Sequence, residues 1–295
     1  MAATWIFFTL PAMQPSDLPA AWAGFASLHP RFDRERSLLV LELEHGKANE
    51  VGAAQLDALA ALCAVLEAPD CPVRCLCTTS RRVSSRGTPI FIAGANVTER
   101  SGWDDARVKA HVVRQRELMR RLRHLPLYTV ALAHGVTLGW GVEFLLTADY
   151  TIATDAATFG LPETGLGILP GARGTAELAL AIGPAQALRL GCTGETLDAG
   201  EALRVGLVQE VVGSLNDGLA RVTAIARAVQ TRSPTSVAAF KRGLLDALGR
   251  PEEERLAIER DAYERCVDGG DAAIGRQHFA AIRAGEAPPW GPRRA

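Results

Sequence analysis

The sequence predicts an α/β fold, and three observations support this. The chain has 295 residues, 48% hydrophobic and 22% charged, so it can bury a sizeable core. Runs typical of buried strands alternate with runs of helical periodicity up to about residue 213. Beyond that point strand patterns stop and helical patterns continue. We therefore expect an N-terminal extension over 1–35, a strand-and-helix core over 36–213, and a helical region over 214–295.

The individual elements follow from local patterns. Short, mostly apolar runs next to turn residues predict strands. These runs are 37–44, 72–79, 89–93, 128–134 and 150–153. Apolar residues at helical spacing predict helices. These helices cover 51–66, 104–125, a segment starting at Gly139, and then 219–229, 235–248 and 251–266.

Composition excludes several classes of protein. The 32 Lys and Arg against 33 Asp and Glu leave a net charge of −1, without the basic excess of a nucleic-acid binder. No apolar stretch approaches the roughly 18 residues of a membrane-spanning helix. Six arginines between 107 and 123 are typical of a solvated helix face, with a phosphate-binding patch as the alternative.

The six cysteines are too sparse for a disulfide scaffold. Cys71, Cys75 and Cys77 cluster, but their spacing fits no standard zinc pair, so buried thiols are favoured over a metal site. No Lys or Arg precedes Arg31, so the basic region of a secretory signal is missing. These features predict a cytoplasmic protein without a bound metal.

Three segments could carry chemistry. The first is 91–96, where a buried strand breaks at Gly94 and could leave the N–H of Ala95 unpaired. The second is 139–143, where Trp140 lies at a helix start, whose first N–H groups have no internal partner and favour negative charge. Glu143 follows in the first turn. Alone, each segment also fits an ordinary turn or a carboxylate that complements a helix dipole.

The third segment, 159–175, is a loop rich in glycine and proline that carries Glu163. Apolar surroundings disfavour the charged carboxylate and raise its pKa toward that of a proton donor. A solvated loop glutamate is the alternative interpretation.

Together these segments resemble the enoyl-CoA hydratase/isomerase (crotonase) superfamily. The resemblance rests on PIFIAGANVTE, on the block from ALAHGVTLGWGVEF to LPETGLGILPGARGT, on GETLDAGEALRVGLVQEVV and on GKANEVG. It covers roughly residues 36–284. It implies an α/β fold built as a spiral of β-β-α units, with a C-terminal helical region that forms homotrimers or homohexamers.

The resemblance also implies the site. The N–H groups of Ala95 and Trp140 would bind the carbonyl oxygen of an acyl-CoA thioester, and Glu143 and Glu163 would be the paired carboxylates. Coenzyme A would enter as part of the substrate, with no other cofactor required. Because Glu143 is present beside Glu163, hydration of an α,β-unsaturated thioester is favoured over isomerisation. Other acyl-CoA enzymes of this fold and a non-catalytic acyl-CoA-binding scaffold remain alternatives.

Three positions depart from the family pattern. Trp140 replaces a glycine, and its indole could narrow the acyl pocket. His134 stands where the family commonly has Asn, and a structural histidine is favoured over a catalytic one. Asn96 replaces a frequent Asp.

Contacts with coenzyme A are assigned to three positions. Ala93 lies in segment 91–96, the first oxyanion segment. Lys47 lies in GKANEVG, the early motif that also contains Asn49, and Lys241 lies on a C-terminal helix. For each lysine, an ordinary solvated side chain is favoured over this contact.

Overall fold

The computed structural model describes residues 19–294. The part of the predicted extension over 1–18 lies outside the described residues. The strands are β1 Pro30–Asp33, β2 Leu38–Leu43, β3 Cys75–Ser80, β4 Ile90–Ile92, β5 Tyr128–Ala133, β6 Val136–Leu138, β7 Tyr150–Thr154, β8 Thr158–Gly160, β9 Thr196–Asp198 and β10 Glu210–Val212. The helices are α1 Ala53–Glu67, α2 Asp105–Arg123, α3 Trp140–Leu145, α4 Gly174–Thr193, α5 Ala199–Val205, α6 Leu215–Gln230, α7 Pro234–Ala247, α8 Glu252–Asp268, α9 Asp271–Gln277 and α10 Phe279–Arg283.

Two sheets form the core. The larger has the order β1-β2-β3-β5-β7-β10 and is parallel except for β1, and the smaller has the order β4-β6-β8-β9 and is parallel except for β9. Every residue of β2 and β3 is buried, as expected of strands covered on both faces.

The chain alternates between the two sheets as it advances. Strands β3, β5 and β7 lie in the large sheet, and each is followed by a short strand of the small sheet and then by a helix. These repeats confirm the predicted spiral of β-β-α units. The short strands β4, β6 and β8 lie side by side, so their carboxyl ends meet at one edge, where the candidate site is built.

Part of the segment expected to be an extension belongs to the core. Residues 20–28 form a 3₁₀ helix, and β1 pairs with β2. Trp22, Phe25 and Leu28 are buried and pack with the main hydrophobic cluster. The prediction that the core begins at 36 is therefore wrong for this stretch. The weak periodicity of a 3₁₀ helix followed by a four-residue strand explains the error.

This correction can be tested by substitution of Phe25, which is fully buried. Phe25→Ala is expected to lower the free energy of unfolding by about 3–5 kcal/mol, because it removes buried apolar surface and leaves a cavity. Phe279→Ala is the matched control, since that ring is 62% exposed. Urea denaturation measures both. Equal stability of the two variants would contradict the placement of Phe25 in the core.

Several elements were missed from the sequence. Strands β6, β8, β9 and β10 have three residues each, too few to show an alternating pattern. Helix α4 was missed because it begins in a glycine- and proline-rich segment and kinks at Gly183 and Pro184. The described residues after Val212 form only helices, as predicted. The division into domains at 213 stays a prediction.

The two cysteines of β3 are buried in the core, and several arginines of α2 form ion pairs. Cys75 and Cys77 lie buried in β3, where burial raises the pKa of the Cys75 thiol to about 12. Over residues 19–294 no cluster of His, Cys, Asp or Glu could hold a metal ion. Several α2 arginines form ion pairs, among them Arg114 with Asp57 and Arg121 with Glu67. None of the helices described is long and apolar enough to cross a membrane.

Candidate active site

The first oxyanion segment follows β4. The N–H of Val51 donates to the carbonyl of Gly94 at 3.0 Å, and the N–H of Asn96 donates to the carbonyl of Val51 at 2.9 Å. This parallel bridge skips the N–H of Ala95, which has no acceptor among residues 19–294. Gly94 has a φ of 127°, a left-handed conformation that favours glycine and makes the break in the strand. The Ala95 N–H is therefore available to a ligand.

The side-chain amide of Asn49 holds the first oxyanion segment through a hydrogen bond to the carbonyl of Phe91. Its side chain is fully buried, and the two hydrogens of Nδ2 are shared among three acceptors: the carbonyls of Phe91 at 2.9 Å and Leu43 at 3.2 Å, and Oγ of Ser80 at 2.8 Å. One amide thus ties the ends of β2, β3 and β4 together. Sequence reasoning placed this residue in the early motif without assigning it a role.

The second oxyanion segment is the start of α3. Gly139 precedes the helix with a φ of 51°, and its N–H donates to the carbonyl of Gly160 at 2.9 Å. Trp140 is the first helical residue, so its N–H has no acceptor within the helix and none elsewhere in the described chain. This is the second backbone donor that the sequence predicted.

The structure brings the two segments together. Strand β4 pairs with β6, which leads directly into Gly139. A Cβ placed on Gly141 would lie 2.4 Å from the carbonyl oxygen of Ile92, and one on Gly94 would lie 3.6 Å from that of Leu138. Only a glycine at 141 permits this approach. The segments that carry the two free N–H groups are therefore in contact.

Glu143 lies on α3, three residues after Trp140, and is 4% exposed. Its Oε1 accepts hydrogen bonds from the backbone N–H groups of Ala172 at 2.8 Å and Gly174 at 2.7 Å. Its Oε2 accepts none from the described residues. Burial raises the pKa of Glu143 to about 7, with a further upward contribution from the charge of Glu163. One oxygen is anchored, and the other is left for a ligand or water.

Glu163 begins a 3₁₀ helix, Glu163–Leu166, and its side chain reaches the start of α3. Its Oε1 lies 2.6 Å from the position that a Cβ on Gly139 would take. Its Oε2 is buried and unpaired within residues 19–294. Burial raises the pKa of Glu163. Both carboxylates therefore border the segment that carries the Trp140 N–H, each with one oxygen not bonded to the protein.

The close approach of Glu163 gives a testable prediction at Gly139. In Gly139→Ala the new methyl group would displace the carboxylate, and the φ of 51° would be strained. If Glu163 has the role that the family resemblance implies, kcat/KM is expected to fall about tenfold or more, because small displacements of a catalytic group are costly.

Gly191→Ala is the matched control, since a Cβ there meets open space. Steady-state kinetics of both variants, with thermal melting to check folding, would decide the matter. Wild-type kcat/KM in Gly139→Ala would show that Glu163 needs no glycine beside it.

The indole of Trp140 packs into the core. It is 2% exposed and stacks on the ring of Phe144, with centroids 5.6 Å apart and planes 25° apart. Its Nε1 is buried and has no acceptor among the described residues. The idea that the indole narrows the acyl pocket stays a prediction.

His134 and Asn96, the other two residues that depart from the family pattern, lie within hydrogen-bond distance of nearby residues. Nδ1 of His134 lies 2.9 Å from Oγ1 of Thr154, and burial lowers the pKa of the imidazole, as the structural interpretation expects. Oδ1 of Asn96 accepts a hydrogen bond from Oγ1 of Thr98 at 2.7 Å and from the N–H of Glu99 at 3.2 Å. Asn96 therefore stabilises the turn after the first oxyanion segment.

Among the expected coenzyme A contacts, Lys241 requires a correction. It is 8% exposed, and its Nζ donates to Oδ2 of Asp149 at 2.8 Å and to the carbonyl of Leu127 at 3.1 Å. The interpretation as a solvated lysine is wrong, and the buried ion pair also takes the ammonium away from any phosphate. Lys47 is exposed, and the N–H of Ala93 donates to the carbonyl of Ala48 at 3.1 Å. Their contacts with coenzyme A stay predictions.

Comparison with known proteins places this geometry in a family. The family model described as enoyl-CoA hydratase/isomerase matches residues 83–289. The short-chain-enoyl-CoA hydratase of Clostridium acetobutylicum is 31% identical over 189 residues, 64% of this chain and 72% of its own length. The mouse enoyl-CoA hydratase domain-containing protein 2, mitochondrial, is 34% identical over 198 residues, covering 66% of this chain and 67% of its own.

Solved structures agree. An enoyl-CoA hydratase structure from Bacillus anthracis superposes with a TM-score of 0.76 and 30% identity, covering 86% of this chain and 95% of that chain. DspI of Pseudomonas aeruginosa gives a TM-score of 0.76 and 31% identity, covering 86% and 94%. The chain belongs to the enoyl-CoA hydratase/isomerase (crotonase) family.

Proposed function

We propose that this protein is an enoyl-CoA hydratase that adds water across the α,β double bond of an enoyl-CoA thioester. The observation that carries the proposal is the pair of carboxylates, the buried Glu143 and the half-buried Glu163, beside a segment with an unpaired backbone N–H. Membership of the family supports an acyl-CoA thioester as substrate. Relatives named as enoyl-CoA hydratases support the reaction.

The backbone donors would act on the thioester carbonyl. Its oxygen binds the N–H groups of Ala95 and Trp140, and it gains negative charge as water adds to the β-carbon. Fixed donors aimed at that charge are worth about 3–4 kcal/mol of barrier each. The electrons of the double bond move onto this oxygen, so the thioester itself serves as electron sink. No redox cofactor or metal enters the proposed steps.

The two carboxylates would move the protons. Glu143, held at Oε1, uses Oε2 to take a proton from the attacking water as its oxygen bonds to the β-carbon. Glu163 delivers a proton to the α-carbon, and its unpaired Oε2 is suited to this task. The raised pKa values of both groups keep proton transfer feasible near neutral pH.

Isomerisation of the double bond is the second candidate reaction. It transfers one proton between carbons and needs a single carboxylate, the role that Glu163 could fill. The anchored second carboxylate, Glu143, favours hydration, because water activation uses it and isomerisation does not. The family description covers both reactions.

We also infer that the protein assembles as a homotrimer or a pair of trimers. Helices α7 and α8 expose large apolar side chains, including Phe240 at 73% and Tyr263 at 71%. Contact with further copies would cover this surface. Light scattering at several protein concentrations measures the mass directly, and a monomer at micromolar concentration would contradict the inference.

The reaction is tested with purified protein and crotonyl-CoA. Hydration removes the conjugated enoyl-thioester absorbance. When the reaction runs in D2O, the product gains one deuterium at its α-carbon. Short, branched and aromatic enoyl thioesters extend the test to acyl specificity. Loss of absorbance supports hydration, and formation of a 2-enoyl from a 3-enoyl thioester without hydration supports isomerisation. Binding without turnover of any of them would point to a scaffold.

A further inference from the structure

The loop that anchors Glu143 is shaped by a residue that the chemistry does not use. Ala172 and Gly174, whose N–H groups bind one carboxylate oxygen, flank Arg173. Arg173 has a φ of 89° and a ψ of −7°, in the left-handed region. A left-handed residue between two others turns their N–H groups toward one point and makes a concave anion site. The conformation of Arg173 is therefore what directs both donors at Glu143.

An arginine is an unexpected residue for this conformation, because a side chain at positive φ is strained where glycine is not. Strained backbone persists only where the surroundings hold it in place. The side chain of Arg173 forms an ion pair and hydrogen bond with Glu177, one turn into α4. Glu177 is 11% exposed in its side chain, so solvent screens this pair less than an ordinary surface pair.

Arg123 links the Arg173–Glu177 ion pair to α3, the helix that carries Glu143. Glu177 Oε2 lies 3.6 Å from Nη2 of Arg123, at the end of α2. Nη1 of Arg123 donates to the carbonyl of Leu146, the residue that follows α3. The chain Arg173–Glu177–Arg123 thus connects the loop that holds the carboxylate to the helix from which it projects. On the other side of the loop, Nε of Arg116 donates to the carbonyl of Gly171 at 2.7 Å.

We propose that Arg173 and Glu177 are positioning residues, whose ion pair keeps the 172–174 loop in the left-handed conformation that orients and ionises Glu143. The two N–H groups stabilise the carboxylate over the carboxylic acid. When the loop relaxes, one or both bonds lengthen, and Glu143 retains its proton to higher pH. The ionisable groups whose charges act on Glu143 are Glu163 from its 3₁₀ helix and Arg116 from α2.

The test uses three variants and a control, and it rests on the proposed function only in its kinetic arm. Glu177→Gln keeps the shape and removes the charge. Arg173→Ala removes the ion pair and keeps the strain, whereas Arg173→Gly removes the ion pair and the strain together. Glu195→Gln is the control, because Glu195 pairs with Arg189 at the far end of α4.

The first readout needs no turnover. The carboxyl stretch of Glu143 is titrated by infrared spectroscopy as the difference between each protein and its Glu143→Gln derivative. In Glu177→Gln and Arg173→Ala, the apparent pKa of Glu143 is expected to rise by about one unit relative to the parent, while Arg173→Gly rises less. Glu195→Gln is expected to match the parent protein.

The second readout is the pH profile of kcat with crotonyl-CoA. The acid limb of this profile is expected to move to higher pH in Glu177→Gln and Arg173→Ala, and to move less in Arg173→Gly. In the first two variants kcat at pH 6 is expected to fall about tenfold, whereas KM should change less than twofold. Unchanged titration and kinetics in both Glu177→Gln and Arg173→Ala would overturn the proposal. If the parent protein does not hydrate crotonyl-CoA, the proposed function fails, and the infrared titration still decides the role of Arg173 and Glu177.

Discussion

Replacing Glu143 by glutamine is expected to lower kcat for hydration by about 10²–10⁴-fold, the range that general acid–base catalysis supplies. The amide can accept the same two hydrogen bonds from Ala172 and Gly174 through its oxygen, so the fold should change little. It cannot take a proton from water. Steady-state kinetics with crotonyl-CoA measure the loss, and KM is expected to change by less than kcat.

Glu163→Gln is the matched comparison. This variant is expected to lose hydration as well, because delivery of the α-proton is removed. The two variants are expected to differ in the isomerisation of a 3-enoyl thioester. Glu143→Gln should keep whatever isomerase activity the parent protein has, whereas Glu163→Gln should lose it. Hydration at the parent rate in Glu143→Gln would remove the role proposed for Glu143.

The pH dependence of hydration follows from the same carboxylate. In the proposed mechanism Glu143 is the base and must be ionised, and burial raises its pKa in the folded protein to about 7. Because this pKa is raised, Glu143 loses its proton only near neutrality, so kcat should fall as the pH drops through about 7. The alkaline side of the profile depends on Glu163, which must still hold the proton that it delivers, so the profile is expected to be bell-shaped. A profile of kcat between pH 5 and 9 checks this. Full activity at pH 5 would contradict a base of this pKa.

The sequence predicted those parts of the site whose residues lie close together along the chain. Trp140 and Glu143 lie within one helical turn, so a helix start at Gly139 was enough to place an N–H and a carboxylate near each other. Ala95 and Glu163 were singled out by a strand break and by loop composition, but that they share one site with Trp140 and Glu143 was implied only by the family resemblance, which carries long-range information that local patterns lack. The spiral of β-β-α units came from the same source.

The features that escaped prediction depend on contacts between distant residues or on backbone conformation. Lys241 is buried because Asp149, 92 residues earlier, lies within hydrogen-bond distance of it. No periodicity reveals such a pair. The anchor of Glu143 consists of backbone N–H groups, which every residue except proline has, so their role depends on the φ of Arg173. Likewise, residues 20–33 show their place in the core only when β1 is seen to pair with β2.

Removing the N–H of Trp140 is the second change with a large expected effect, and proline makes it feasible. Trp140 is the first residue of α3, a position where proline is favoured because its fixed φ suits the helix and the N–H has no helical partner. Trp140→Pro would therefore remove the predicted oxyanion donor while keeping the helix start. It also removes the buried indole, so it must be compared with Trp140→Gly, which loses the same indole and keeps the N–H.

Both variants are expected to be destabilised by the loss of the stacked ring, by about 3–5 kcal/mol, and thermal melting should show similar shifts. Their kinetics should differ. Trp140→Pro is expected to fall a further 10²–10³-fold in kcat relative to Trp140→Gly, because one oxyanion donor is lost from a fixed site. This comparison isolates one backbone N–H from the packing of its own side chain. Equal kcat values in two folded variants would show that the thioester oxygen is not bound at the start of α3.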